Sequence, residues 1–182
     1  GDTGRFTNNG VLNAGATADA KQTTNAGLMV LGSPGSYART TMTGGFQQTP
    51  TGKLVLDADF AARRGGMLAI GGDASLAGTI APRVATVLPG VGVPVMTVAG
   101  SVSGTMTGQS TLFGYGLSRS GNTLSLTASS ANFDPPGFGL ASSHAAVAQH
   151  LQQSWDQGGI FALASLYAYL GNLADSAGAA GY

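Results

Sequence analysis

Apolar and polar positions alternate with a period of two from Arg5 to about Ala128, the mark of strands that send successive side chains to opposite faces. In "KLVLDADF", Leu54, Leu56, Ala58 and Phe60 share one face, and Val55, Asp57 and Asp59 share the other. Similar short runs recur at "GVLNAG", "GLMVLG", "GMLAIG", "ASLAGTI", "VPVMTVAG", "TLFGYGL" and "NTLSLTA". Each is bounded by Gly, Asn, Pro or Ser, which supply turn conformations. Strands so short and numerous suit a sandwich or a solenoid of stacked coils. The brevity of the runs, their close spacing and the dominance of small residues favour the solenoid, although no strict repeat is visible. The expected fold is therefore all-β, a β-solenoid.

The texture changes near Ala128. "SSANFDPPGFG" reads as a linker, because consecutive prolines hold their predecessors extended and end regular pairing. Beyond it, "ASSHAAVAQHLQQSWDQGG" offers Ser142 or Ser143 as an N-cap, Ala148, Leu151 and Trp155 at helical spacing, and Gly158 as a stop. The run "IFALASLYAYLGNLAD" places Leu163, Leu166, Tyr167, Leu170 and Leu173 on one apolar stripe. The organisation predicted is a β portion over 1–130, a Pro/Gly linker over 131–141 and a short α-helical pair within 142–182.

Composition agrees with this pattern and removes several function classes. Charged residues are 9% of the chain, every acidic residue is Asp, and there are 30 glycines. A net charge of zero, with the basic residues scattered from Arg5 to Arg119, offers no electrostatic footprint for nucleic acid. Cysteine is absent, so disulfides and thiolate chemistry are excluded. The longest apolar runs fall short of the roughly 18 residues that a membrane-spanning helix needs. The opening "GDTGRFTNNG" and the closing "AGAAGY" read as the ends of a piece of a longer polypeptide.

Candidate chemistry is sparse. His144 and His150 lie six residues apart on one expected helix, not at the three- or four-residue spacing that sets two ligands on one face. No metal site is expected. Ser142, Ser143 and Asp156 lie near them in sequence, but a Ser-His-Asp triad is assembled across a rigid fold, and surface histidines are the better reading. Asp57 and Asp59 share a strand face about 7 Å apart and suggest the paired carboxylates of glycoside hydrolysis. Outward charges that keep a strand soluble explain them more simply. "GFGLAS" from Gly137 lacks the strand and third glycine of a phosphate-cradling turn. Trp155, Tyr167 and Tyr169 could stack a ligand, but core packing of a helix pair already accounts for Trp155 and Tyr167. No catalytic, cofactor-binding or metal-ligating residue is assigned, and no cofactor is expected.

In order along the chain, "FTNNGVLNAG", "TGGFQQTPTGKLVLDADF", "GGMLAIGGDASLAGTIAP" and "SGNTLSLTA" followed by "FDPPG" resemble the membrane-proximal passenger of type V bacterial autotransporters of the AIDA and pertactin kind. The tail "SSHAAVAQHLQQSW" through "ALASLYAYLGNLAD" resembles the helical segment joining such a passenger to its outer-membrane β-barrel. The resemblance implies a right-handed parallel β-helix whose last coils act as an autochaperone and surface stem. It also implies an upstream passenger and a downstream barrel as partners, with barrel assembly machinery and periplasmic chaperones in attendance, and a location at the bacterial cell surface or outer membrane. The expected function is templating of passenger folding during secretion, not enzymatic chemistry. The leading alternative is a surface adhesin or carbohydrate-binding solenoid, and a glycan-cleaving enzyme ranks last. The helical tail could enter a barrel pore or fold back as a cap, burying Trp155 and Leu151 against the last coil.

Overall fold

The computed structural model of the chain describes residues 4–136 and 139–177. Its β portion is a parallel β-helix built from coils of three strands. The first coil contains β1 (Arg5–Asn8), β2 (Val11–Ala14) and β3 (Thr17–Ala18). The second contains β4 (Gln22–Asn25), β5 (Leu28–Leu31) and β6 (Arg39–Met42). The third contains β7 (Gly45–Gln48), β8 (Lys53–Asp59), the short β9 (Arg64–Gly65) and β10 (Met67–Ile70). The fourth contains β11 (Ala74–Leu76), β12 (Thr79–Thr86) and β13 (Gly92–Val98), and β14 (Val102–Gly104) and β15 (Thr107–Gln109) begin a fifth.

Stacking produces three faces. The first is β1-β4-β7-β11-β14, the second β2-β5-β8-β12-β15 and the third β3-β6-β10-β13. Neighbours within each face run parallel. Interior side chains therefore form columns. Met29 lies beside Leu54 and Leu54 beside Ile80, while Met42, Ile70 and Val98 align on the third face. All six are buried. Each such side chain contributes about 1.5–3 kcal/mol relative to exposure.

The coils lengthen along the axis. Asn8 meets Asn25 17 residues on, Asn25 meets Gln48 23 residues on, and Asp73 meets Ser101 28 residues on. A column of glycines just before the second-face strands lets successive coils approach closely. A Cβ on Gly27 would overlap the carbonyl oxygen of Gly10, one on Gly52 that of Asn25, and one on Gly78 that of Gly52.

The pairing changes after β15. The chain reverses into β16 (Phe113–Ser120) and β17 (Thr123–Ala131), an antiparallel hairpin turning at Gly121 and Asn122. β16 pairs antiparallel with β15 and β17 antiparallel with β13, so the hairpin bridges the second and third faces. Parallel coils alone would have left both edges open there. The two helices follow, α1 (Ser142–Asp156) and α2 (Ala164–Ala177), separated by a single 3-10 turn at Phe161–Leu163. Gly158, at φ 102, and Gly159, at φ 72, end the first helix as expected. Its N-cap, however, is Ala141, with no side-chain capping bond, and Ser142 is already helical.

Candidate functional site

Among the described residues the two ends of the column differ. At the first-coil end, β1 closes the order of one sheet and β2 and β3 close both ends of the other, so each keeps an unpaired edge among the described residues. Phe6 and Val11 there are 43% and 70% exposed. The interior opens as a mouth of about 250 Å³ lined by Phe6, Leu12, Ala14, Ala18, Met29 and Met42, among others. A row of buried amides runs inward beside it. Asn8 Nδ2 donates to Asn25 Oδ1 and Asn25 Nδ2 to Gln48 Oε1, both at 2.8 Å, and Gln48 Nε2 reaches the carbonyls of Gly52 and Thr79. Sequence reasoning missed this ladder. Its signal was polar residues at Asn8, Asn25 and Gln48, shortly ahead of Gly10, Gly27 and Gly52.

The opposite end is closed. The helices fold back onto the hairpin, and Trp155, 6% exposed, packs with its ring centroid 5.2 Å from Phe113 and 5.5 Å from Tyr167. Phe133 lies among all three, and Tyr115 bridges Phe113 to Phe60. Polar contacts fasten the cap: the Val87 N–H donates to the Ala164 carbonyl, Thr111 N–H to Asp175 Oδ1, Phe133 N–H to Gln152 Oε1, and Asn172 Nδ2 to the Val84 carbonyl. Burial, and secondarily the Asp175 carboxylate, pushes the Tyr115 phenol well above its ordinary range. Of the two alternatives for the tail, the structure adopts the cap. Leu151 is only half-buried, and the buried stripe of α2 is Ala164, Tyr167, Ala168, Gly171 and Ala174, with Leu166 exposed. Small residues win because the helix lies close over β12 and against the Phe113 ring. A Cβ on Gly171 would come within 2.8 Å of the Phe113 ring.

The other residues singled out in the sequence resolve individually. Leu54, Leu56, Ala58 and Phe60 all face the core. Asp57 does not lie at an open surface, contrary to the outward-charge reading. It is 3% exposed, pairs with Arg83 Nε at 2.8 Å, and accepts the N–H groups of Ser36 and Tyr37. Arg83 also donates to the carbonyls of Leu31 and Gly32. The loop of the preceding coil and the arginine of the next cover the carboxylate, clamping three coils together. Asp59 accepts the Thr86 hydroxyl and the Ala62 N–H. Both carboxylates are thus engaged in holding backbone.

Ser142, Ser143, His144 and His150 are exposed along α1, and exposed Asp156 accepts from Gln152. Among the described residues no group of three His, Cys, Asp or Glu could hold a metal ion. Tyr169 is exposed. Gly137 and Phe138 of "GFGLAS" lie outside the described residues. Asp73 accepts the Ser101 N–H at 2.7 Å and its hydroxyl at 2.8 Å, and these bonds, the backbone one foremost, hold its carboxyl below the usual range.

No described helix is long and apolar enough to cross a membrane. No protein-family model matches the chain, and no curated protein matches it significantly.

Proposed function

We propose that this chain is the stem of a type V autotransporter passenger, which templates folding of the upstream passenger as it emerges through an outer-membrane β-barrel. The single observation that carries this reading is the polarity of the column, open at the first coil and closed by hairpin and helices at the last. A finished coil with unpaired edges lets the next add without closing a long loop. Closure at the other end gives the growing column a fixed base. In this reading the location is the bacterial cell surface, and the partners are the upstream passenger and the downstream barrel.

Asp at Leu54, Leu76 and Leu124, all buried in the column, provides the test in the full-length protein. Each substitution buries an unpaired carboxylate, and secretion and protease resistance of the passenger are expected to collapse together. Wild-type secretion by all three variants would refute the reading.

A second reading has its own observation. On the outer side of the first face, Thr7, Thr24, Gln47, Ser75 and Ser103 line a polar concavity of about 490 Å³ with Arg5 and Asp73 among its walls. Such a row of hydroxyls and amides suits a carbohydrate adhesin. Saturable binding on a glycan array, abolished by Gln47→Ala with Ser75→Ala, is the result expected of that alternative.

A further inference from the structure

The open tip restricts what it can receive, because the amide ladder has a direction. Asn8 Nδ2 also donates to the Leu28 carbonyl, Asn25 Nδ2 to that of Lys53 and Gln48 Nε2 to that of Thr79. These carbonyls accept only, so the orientation of all three amides is fixed. Every donor points towards the closed end. Asn8 Oδ1, which among the described residues accepts the Gly10 N–H alone, is the terminal acceptor of the row.

The glycine column is likewise incomplete. Gly10 occupies the register position of Gly27, Gly52 and Gly78, each one residue ahead of the paired Val11, Leu28, Lys53 and Thr79. Its three successors lack space for a Cβ because a carbonyl of the preceding coil sits there, whereas nothing lies within 4 Å of a Cβ at Gly10. Gly10 does not have a positive φ. The described residues therefore give it no reason to be glycine. In the same register Leu28, Lys53 and Thr79 donate their N–H groups to the carbonyls of Gly10, Gly27 and Gly52, so Val11 directs its own towards the side where β2 has no neighbour.

We propose that the tip receives a further coil of the upstream chain that carries Asn or Gln directly over Asn8. Its side-chain NH2 donates to Asn8 Oδ1, and the carbonyl of the residue that takes the glycine position after it lies over Gly10 and accepts from Val11, as the carbonyls of Gly10, Gly27 and Gly52 do for Leu28, Lys53 and Thr79. The contact continues the coil-to-coil interface already repeated through β2, β5, β8 and β12. A second copy of the chain does not fit. Tip to tip, two Asn8 acceptors would oppose each other, and at the far end β16 and β17 cover two faces and leave only the three-residue β14 edge. The inference rests on the templating reading for the identity of the incoming segment.

Duplicating residues 21–43 ahead of Gly4 lays a second Asn25 over Asn8. In the duplicated chain the Val11 amide is expected to exchange at least about tenfold more slowly than in the original. Gly10→Ala is expected to leave the thermal midpoint of the original chain unchanged, yet abolish the protection gained on duplication. Replacing the duplicated Asn by Leu, which the stack accepts at this rung as Leu76, is expected to reduce that protection about tenfold. Equal protection with Leu would overturn amide selection. A duplicated chain indifferent to Gly10→Ala, or without Val11 protection, would overturn the stacking, as would a dimer protecting Val11 in the original chain. Tip stacking as described, alongside normal secretion of the buried-Asp variants, would remove the templating role and leave this inference intact.

Discussion

Asp57 and Tyr115 illustrate how a single side chain can hold distant coils. Asp57→Ala leaves the Ser36 and Tyr37 N–H groups without an acceptor and Arg83 without its carboxylate. Arg83 is about a quarter exposed, which moderates the loss, so a destabilisation of about 2–3 kcal/mol is expected from urea unfolding. Asp57→Asn, which keeps an acceptor, is expected to lose less. Tyr115 carries a pH signature. Its phenol is raised in the folded state by burial and by Asp175, so its stabilising contribution is complete below the unfolded value near pH 10 and declines as pH rises above it. Urea midpoints compared at about pH 9 and about pH 11 are expected to fall in the native chain and to fall less in Tyr115→Phe.

At the scale of elements, the helical cap is the part that a small change should release. Gly171→Leu forces a side chain into the Phe113 ring, and overpacking of this kind costs about 1–3 kcal/mol. Trp155 fluorescence is expected to be blue-shifted and shielded from quenchers in the native chain, and red-shifted and quenched in the variant. The strands and helices were largely legible in the sequence, because alternation at Leu54, Leu56, Ala58 and Phe60 and the stop at Gly158 are local signals. What was illegible depended on neighbours remote in sequence. Alternation assigned Asp57 to the outer side but carried no information about the loop and arginine that cover it. The α2 stripe was read on its leucines, whereas closeness to β12 and the Phe113 ring selects Ala164, Ala168 and Gly171. The repeat escaped notice because the coil lengthens from 17 to 28 residues, which blurs any fixed period although the glycine and amide columns stay aligned. The candidate site was hidden for the same reason, since Asn8, Asn25 and Gln48 become neighbours only once the coils stack.

For the whole molecule, a column of stacked coils has stability graded along its axis, as in other solenoids. The first coil has exposed strands and partners on one side only, whereas the third and fourth lie between neighbours and contain the Asp57 clamp. Native-state hydrogen exchange is expected to be fastest in β1 and β2 and slowest in β8, β12 and β13. A uniform profile would show that the chain unfolds as one unit. The hairpin that bridges two faces carries a further consequence. Stacked β-structure with matching surfaces at top and bottom can polymerise head to tail into fibres. Here β16 and β17 occupy those edges on two faces, and only the three-residue β14 remains at the margin of the other. Growth through that end is thereby limited to the short β14 edge, so columns of this kind can lie side by side without fusing end to end.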